Sequence, residues 1–416
     1  MADPESQGAP AAGAASLVTR DAGRGPADVE SLLRLNNTLL ILSNGAWYLV
    51  APFIPLYLAS QGASVSVVGI VIGVSGVMPL LLSIHAGALV DERGPMVVVK
   101  SSVILFALAA AVLTGLHGVW AVAVAYTLMG VANIGFAVAP QAIVAAASSP
   151  AARVRNYGYY GLYNSAGAVI GPIVGGFVAG HFGYTAAFAL LGLLTLPTFA
   201  VAASMRGIPA VPRPAVSLAT AHTLVGAIVR QPGVGALLFI SSIVMCGQTL
   251  KQSFFPIYLH KVGLSATLIG MVVAADSLSS MVVRSFLSRG VAHLGYASLL
   301  LGGTALAGVA LGVTPLLRQF WPLVFGSALM GASIGFTQPL TMSLMVEAVA
   351  AELLGVAFGI RQSVQRVAAI VSPIVFGLVI TAFGIESGFY LGAATLVGAV
   401  PFMARMTGHL RRRPAS

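Results

Sequence analysis

Phe53-Ile54-Pro55-Leu56-Tyr57-Leu58-Ala59-Ser60-Gln61-Gly62-Ala63-Ser64-Val65-Ser66-Val67-Val68-Gly69 returns 201 residues later as Phe254-Phe255-Pro256-Ile257-Tyr258-Leu259-His260-Lys261-Val262-Gly263-Leu264-Ser265-Ala266-Thr267-Leu268-Ile269-Gly270. Phe, Pro, Tyr, Leu, Gly, Ser and Gly hold their places in both copies. Further on, Gly130, Gly158, Pro172 and Gly176 recur at the same offset as Gly331, Gly359, Pro373 and Gly377. The chain is therefore two halves built alike. Duplication on this scale in an apolar chain points to two bundles that can rock about a site between them, as in secondary transporters.

Composition supplies the solvent. The chain is 58% hydrophobic and 8% charged, with a mean hydropathy of +0.95, whereas soluble domains carry about 25% charged residues. Lipid suits such a chain, and only helices or closed barrels satisfy their backbone in hydrocarbon. The apolar runs are about 20 residues long without strict alternation, which selects helices. The net charge of +10 does not mark a nucleic-acid binder, because the basic residues sit singly or in pairs between apolar runs. The single cysteine, Cys246, excludes an intrachain disulfide and a cysteine-based metal site. No Walker-type phosphate loop, His-Glu metal motif or serine-nucleophile motif stands out, so no cofactor, metal or enzymatic activity is expected.

Twelve spans are expected, at 36–59, 66–90, 97–116, 119–146, 156–180, 184–205, 234–259, 266–289, 297–315, 321–347, 355–381 and 388–405. The reading is an all-α integral membrane protein of twelve transmembrane helices in two pseudo-symmetric six-helix bundles. Residues 1–30 read as a disordered tail, 31–206 as the first bundle, 207–232 as a Pro-rich linker, 233–406 as the second bundle and 407–416 as a basic tail. With the N-terminus inside, Arg20, Arg24, Arg34, Arg93, Lys100, Arg153, Arg155, Arg206, Arg213, Arg230, Arg289, Arg405 and Arg411 to Arg413 all fall on the cytoplasmic side, against Lys261 and Arg318 outside. The positive-inside rule then puts both termini in the cytoplasm.

The fifth span carries Gly158, Gly167, Gly171-Pro172 and Gly175-Gly176. Gly167, Gly171 and Gly175 are four apart and form a smooth stripe on which another backbone can pack. Pro172 removes a backbone donor and can bend the helix. These positions read as a hinge or seal. Their spacing resembles the helix-five motif of proton-coupled antiporters in the major facilitator superfamily, the drug-efflux branch in particular. The loop Gly87-Ala88-Leu89-Val90-Asp91-Glu92-Arg93-Gly94 is similar to that superfamily's loop between helices two and three. The resemblance covers residues 35–405. It implies that Asp91, with Arg93 and Gly94 beside it, acts as a conformational latch at the start of helix eleven, where Arg361 is a candidate partner. An anion at a helix N-terminus is physically favourable. The sequence departs from the family at Glu92 and Pro95, where basic residues are usual, and at Tyr126, where the efflux branch has an arginine implicated in proton handling.

Ionisable groups at membrane depth are costly and so are functional candidates. Asp276, ten residues into its span, sits about 15 Å deep. It is the acid expected to carry the coupling proton, since a carboxyl balanced between desolvation and a nearby cation can bind and release one. The alternative is a permanent ion pair that holds helices together. Lys251, Arg284, Arg361 and Arg366 are the basic candidates for the substrate site. Arg284 is about 12 Å along the axis from Asp276, and Arg361 and Arg366 are about 140° apart around their helix. If most of these groups face the cavity, it is positive and prefers an organic anion or zwitterion. Asn44, Tyr48, Asn133, Tyr159, Tyr163, Asn164 and Gln248 complete the candidate substrate site, by stacking and hydrogen bonding. The leading expectation is proton-driven export of a small organic molecule across a bacterial inner membrane by a monomer. The rivals are proton-linked uptake of an organic anion and a non-transporting receptor or scaffold.

Overall fold

The structure is a computed structural model that describes residues 26–205, 225–231, 233–349 and 353–406. The expected tails over 1–25 and 407–416, most of the expected linker, and Glu352 lie outside the described residues. Among the described residues there is no strand, and twelve helices are long and apolar enough to cross a membrane. They are α1 Asp28–Ser60, α2 Val65–Ser83, α3 Pro95–Gly115, α4 Val119–Ala147, α5 Arg155–Phe182, α6 Tyr184–Ser204, α7 Val234–Lys261, α8 Ala266–Ser285, α9 Leu287–Leu316, α10 Phe320–Ala348, α11 Val356–Phe383 and α12 Ile385–Arg405.

Several boundaries differ from the sequence expectation, most at the start of α1 and between α8 and α9. Helix begins at Pro26, inside the stretch expected to be tail, where a Glu30–Arg34 pair (2.6 Å) one turn apart supports it. Helix α8 ends at Ser285, four residues early, and Gly295, at φ 75°, breaks the chain again before the long part of α9. The interval between them is helical enough to have hidden both breaks.

The repeat explains itself residue by residue. Phe53 and Phe254 are fully buried. Tyr57 packs edge-on to Phe188 at 5.0 Å, and its copy Tyr258 does the same to Phe389 at 5.3 Å. Gly62 and Gly263 adopt φ of 82° and 91°, a left-handed turn that only glycine enters freely. Ser64 and Ser265 then cap α2 and α8 by accepting from the Val67 and Leu268 amides.

Helices α1 to α6 form one bundle and α7 to α12 the other, joined along α5–α8 and α2–α11. Those two seams are copies of one another. Gly270 of α8 lies so close to α5 that a Cβ would collide with the Pro172 carbonyl, with Gly176 alongside. Gly69 of α2 meets Pro373 and Gly377 of α11 in the same way. All of these contacts lie toward the end of the molecule that carries the α1–α2 and α7–α8 turns. At the opposite end, where α1 begins and α12 finishes, Cβ atoms on Gly158 and Gly359 would meet nothing within 4 Å. The bundles are thus clasped at the turn end and splayed at the other.

Candidate functional site

Splaying leaves a cavity of about 520 Å³ between the bundles, walled by α1, α5, α7, α8 and α10. Seven of the residues expected at the site line it: Asn44, Tyr48, Asn164, Gln248, Lys251, Asp276 and Arg284. Asn44 donates to the Asn164 carbonyl and so ties α1 to α5 at the wall. The Gly167, Gly171 and Gly175 stripe makes this possible by letting α1 ride directly on α5: Cβ atoms there would strike Gly45, Tyr48 and Leu49. The stripe therefore packs within one bundle, while Pro172 and Gly176 face the other.

At the cavity's head, Lys251 Nζ donates to Asp276 Oδ1. It also donates to the Ser327 carbonyl at 3.3 Å and sits 5.5 Å from the Phe255 ring centre. The lysine is nearly sealed, and about a third of the Asp276 side chain remains accessible. Gly331 lets α10 pack flush on Asp276, and Ser279 Oγ bonds the Ala328 carbonyl beside it at 2.5 Å. Beyond the pair, toward the clasped end, lies a recess of about 80 Å³ walled by Trp47, Tyr126 and Phe255. Trp47 and Tyr126 stack there, 5.7 Å between centres and 21° between planes. Tyr126, which stands where relatives of the efflux branch carry arginine, is thus part of an aromatic wall.

Five expected substrate residues are not among the described residues that wall this cavity. Arg361 is buried, with Nη1 on Gln338 Oε1 (3.4 Å) and Thr341 Oγ1 (3.3 Å) of α10. The Asp91 side chain, its expected partner, lies outside the described residues. Arg366 is half-buried, turned from Arg361 around the helix as the spacing requires. Asn133 and Tyr163 are half-buried and Tyr159 is exposed toward the splayed end. Nearby, Tyr157 and Tyr160 are engaged with Gln141 of α4. Arg93 is exposed, and Gly94, at φ 85°, ends its helix. The expectation of four cations at the cavity falls to two, one of them neutralised by Asp276.

Sequence reasoning missed Gln338, Ser277 and Ser280 as lining residues. Ser280 was within reach, since it stands one turn from Asp276 and shares its face. Gln338 carried no signal of its own.

The Major Facilitator Superfamily family matches residues 38–289 and, again, 237–416. This chain belongs to the Major Facilitator Superfamily. It is a multi-pass membrane transporter and not an enzyme. Among curated relatives, the multidrug resistance protein MdtG of Salmonella paratyphi C is 22% identical over 405 residues, covering 93% of this chain and 98% of the relative. MdtG of Klebsiella pneumoniae is 23% identical over 389 residues, covering 90% and 92%. Among solved structures, a point mutant of the nucleoside transporter NupG superposes with a TM-score of 0.76 at 13% identity, covering 91% of this chain and 99% of that one. A peptide transporter POT in complex with sulfate gives 0.76 at 14%, covering 92% and 95%. At these identities the structures speak for the fold alone.

Proposed function

We propose that this superfamily member is a proton-coupled exporter of a small organic molecule, with Asp276 as the proton site and Lys251 as its internal counter-ion. The observation that carries the reading is the Lys251–Asp276 pair at the head of a cavity that lies between the two bundles. Protonating Asp276 removes the charge that holds Lys251, and deprotonating it restores the pair. The two forms present different charges to the cavity and to the facing bundle, which is what coupling requires. The conformation fits a cytoplasm-facing state, with both termini in the cytoplasm of a bacterial inner membrane and one chain acting alone. Export is supported by the relatives, multidrug resistance proteins matched over nearly their whole length, and by the helix-five glycines.

The test uses inside-out vesicles and a pH-sensitive dye. The Asp276→Asn variant is expected to insert and fold while losing substrate-driven proton movement. Wild-type coupling in that variant would remove Asp276 from the mechanism.

One observation favours a second reading, proton-linked uptake of an organic anion. The ionisable groups lining the cavity among the described residues are Lys251, Arg284 and Asp276, a net charge of +1. A proton on Asp276 makes that site more positive, so an anion and the proton load together. A cation would compete with the proton instead. The direction of coupling therefore follows from the charge of the substrate.

A further inference from the structure

We infer that the central cavity takes a monoanionic organic carboxylate, held at its acidic group by Arg284 and Gln338, with its planar apolar end in the Trp47–Tyr126–Phe255 recess. The inference rests on reading the cavity as the transport site and concerns what that site accepts.

Arg284 spends only Nε on protein, donating to the Gly335 carbonyl at 2.9 Å. Among the described residues no acceptor takes its two terminal nitrogens, and the side chain lines the cavity. A guanidinium with its fork free matches a carboxylate in a bidentate pair. Gln338, three residues after Gly335 and on the same wall, supplies a second donor. Its Oε1 accepts from the buried Arg361, and arginine can only donate, so the Gln338 carbonyl is committed and its NH₂ is left for the cavity. Arg361 acts as a positioning residue here: it fixes which end of the amide faces the ligand.

Spacing sets the ligand's length. Gly335 packs against Ser280, one helical turn past Asp276, so the Arg284 anchor lies about 6 Å toward the splayed end from the ion pair. The aromatic recess begins on the other side of that pair, sharing Tyr48, Lys251 and Asp276 with the main cavity. A carboxylate joined to a planar group through a spacer of a few atoms reaches from one to the other. Charge sets its valence. With Lys251 satisfied by Asp276, one positive charge remains, which a monoanion balances and a dianionic phosphate exceeds.

The experiment uses the full chain in lipid nanodiscs and three probes: 4-phenylbutanoate, phenyl phosphate and tetraphenylphosphonium. Binding is read by thermal shift and by quenching of tryptophan fluorescence. The inference expects 4-phenylbutanoate at millimolar concentration to bind better than either other probe. Arg284→Gln is expected to weaken it on the order of tenfold to a hundredfold, and Gln338→Leu by roughly tenfold, with Arg284→Lys between wild type and Arg284→Gln. Unliganded unfolding of each variant checks that the fold is kept, and Gln338→Leu stands in if Arg284→Gln does not fold. Preference for the cation or the phosphate, no binding of 4-phenylbutanoate, or wild-type binding in both Arg284→Gln and Gln338→Leu would overturn the inference. Binding of 4-phenylbutanoate by the wild-type chain with no accompanying proton movement supports it while counting against the function proposed above. Coupled transport confined to the cation does the reverse.

Discussion

Lys251 and Asp276 in the second bundle correspond, 201 residues earlier, to Val50 and Ser75 in the first. The scaffolds around the two places match. Gly130 faces the Ser75 carbonyl in ordinary contact, and its copy Gly331 packs tightly on that of Asp276. Yet Val50 is simply buried, and Ser75 bonds back to the Val71 carbonyl at 2.6 Å. The first bundle puts the Trp47–Tyr126 stack where the second has Gln248 and Ser327. Duplication has kept the residues that pack helices and let the residues that face the cavity diverge. One bundle supplies the charge and the other an aromatic surface against which it acts.

The largest expected effect comes from removing half of the charged waist. Lys251→Met leaves a carboxylate without its partner, and loss of one member of a buried pair costs about 3 kcal/mol. Lys251→Met with Asp276→Leu leaves the second waist uncharged, as the first is, and is expected to regain most of that stability while remaining dead for proton movement. Unfolding in detergent and vesicle dye assays read the two separately. A double variant as unstable as the single one would mean that the waists differ in packing as well as charge.

Next in size are the seams. Gly270→Leu and Gly69→Leu place a side chain against the Pro172 and Pro373 carbonyls respectively, and each is expected to pry open the clasped end. Gly359→Leu, at the splayed end, enters open space and is expected to leave the population unchanged. The check is labelling from the turn side, with a membrane-impermeant thiol reagent, of a Ser277→Cys, Cys246→Ser background. Acceleration of about tenfold is expected for the two seam variants. A response from only one of them would show that the copied seams are not equivalent.

The smallest effect is expected at the surface. Lys261 and Glu386 pair at 2.7 Å with both side chains roughly half exposed, and their first-bundle counterparts are Ser60 and Thr185. Exposed pairs contribute about 0–1 kcal/mol, so Glu386→Gln should shift unfolding barely at all. A loss comparable to that of Lys251→Met would show that this pair also clamps its bundle.

The fold was legible because repeat, hydropathy and turn residues agree. The Gly62 and Gly263 turns and the Ser64 and Ser265 caps end and begin the helices where the sequence says they should. The Lys251–Asp276 pair was not read from the sequence, although a count from the turn brings the two level. Lys251 stands ten residues before the end of α7 and Asp276 ten residues after the start of α8. Equal offsets from one tight turn put both at one depth. Arg361 was not legible. A lone arginine on a long apolar helix can face a neighbouring helix or the cavity, and only the packing of α10 decides. The direction of the Gly167–Gly175 stripe was hidden for the same reason, since a small-residue face announces a close neighbour without naming it.

Lys251 and Asp276 ride on consecutive helices of a single hairpin, on one side of the cleft. Rigid tilting of one bundle against the other moves them as one piece, so the mechanical cycle by itself neither makes nor breaks their contact. Only chemistry can part them. Whatever ion or ligand separates the two can do so in either orientation of the protein, and the contact can thus carry a record of occupancy from one face of the bilayer to the other.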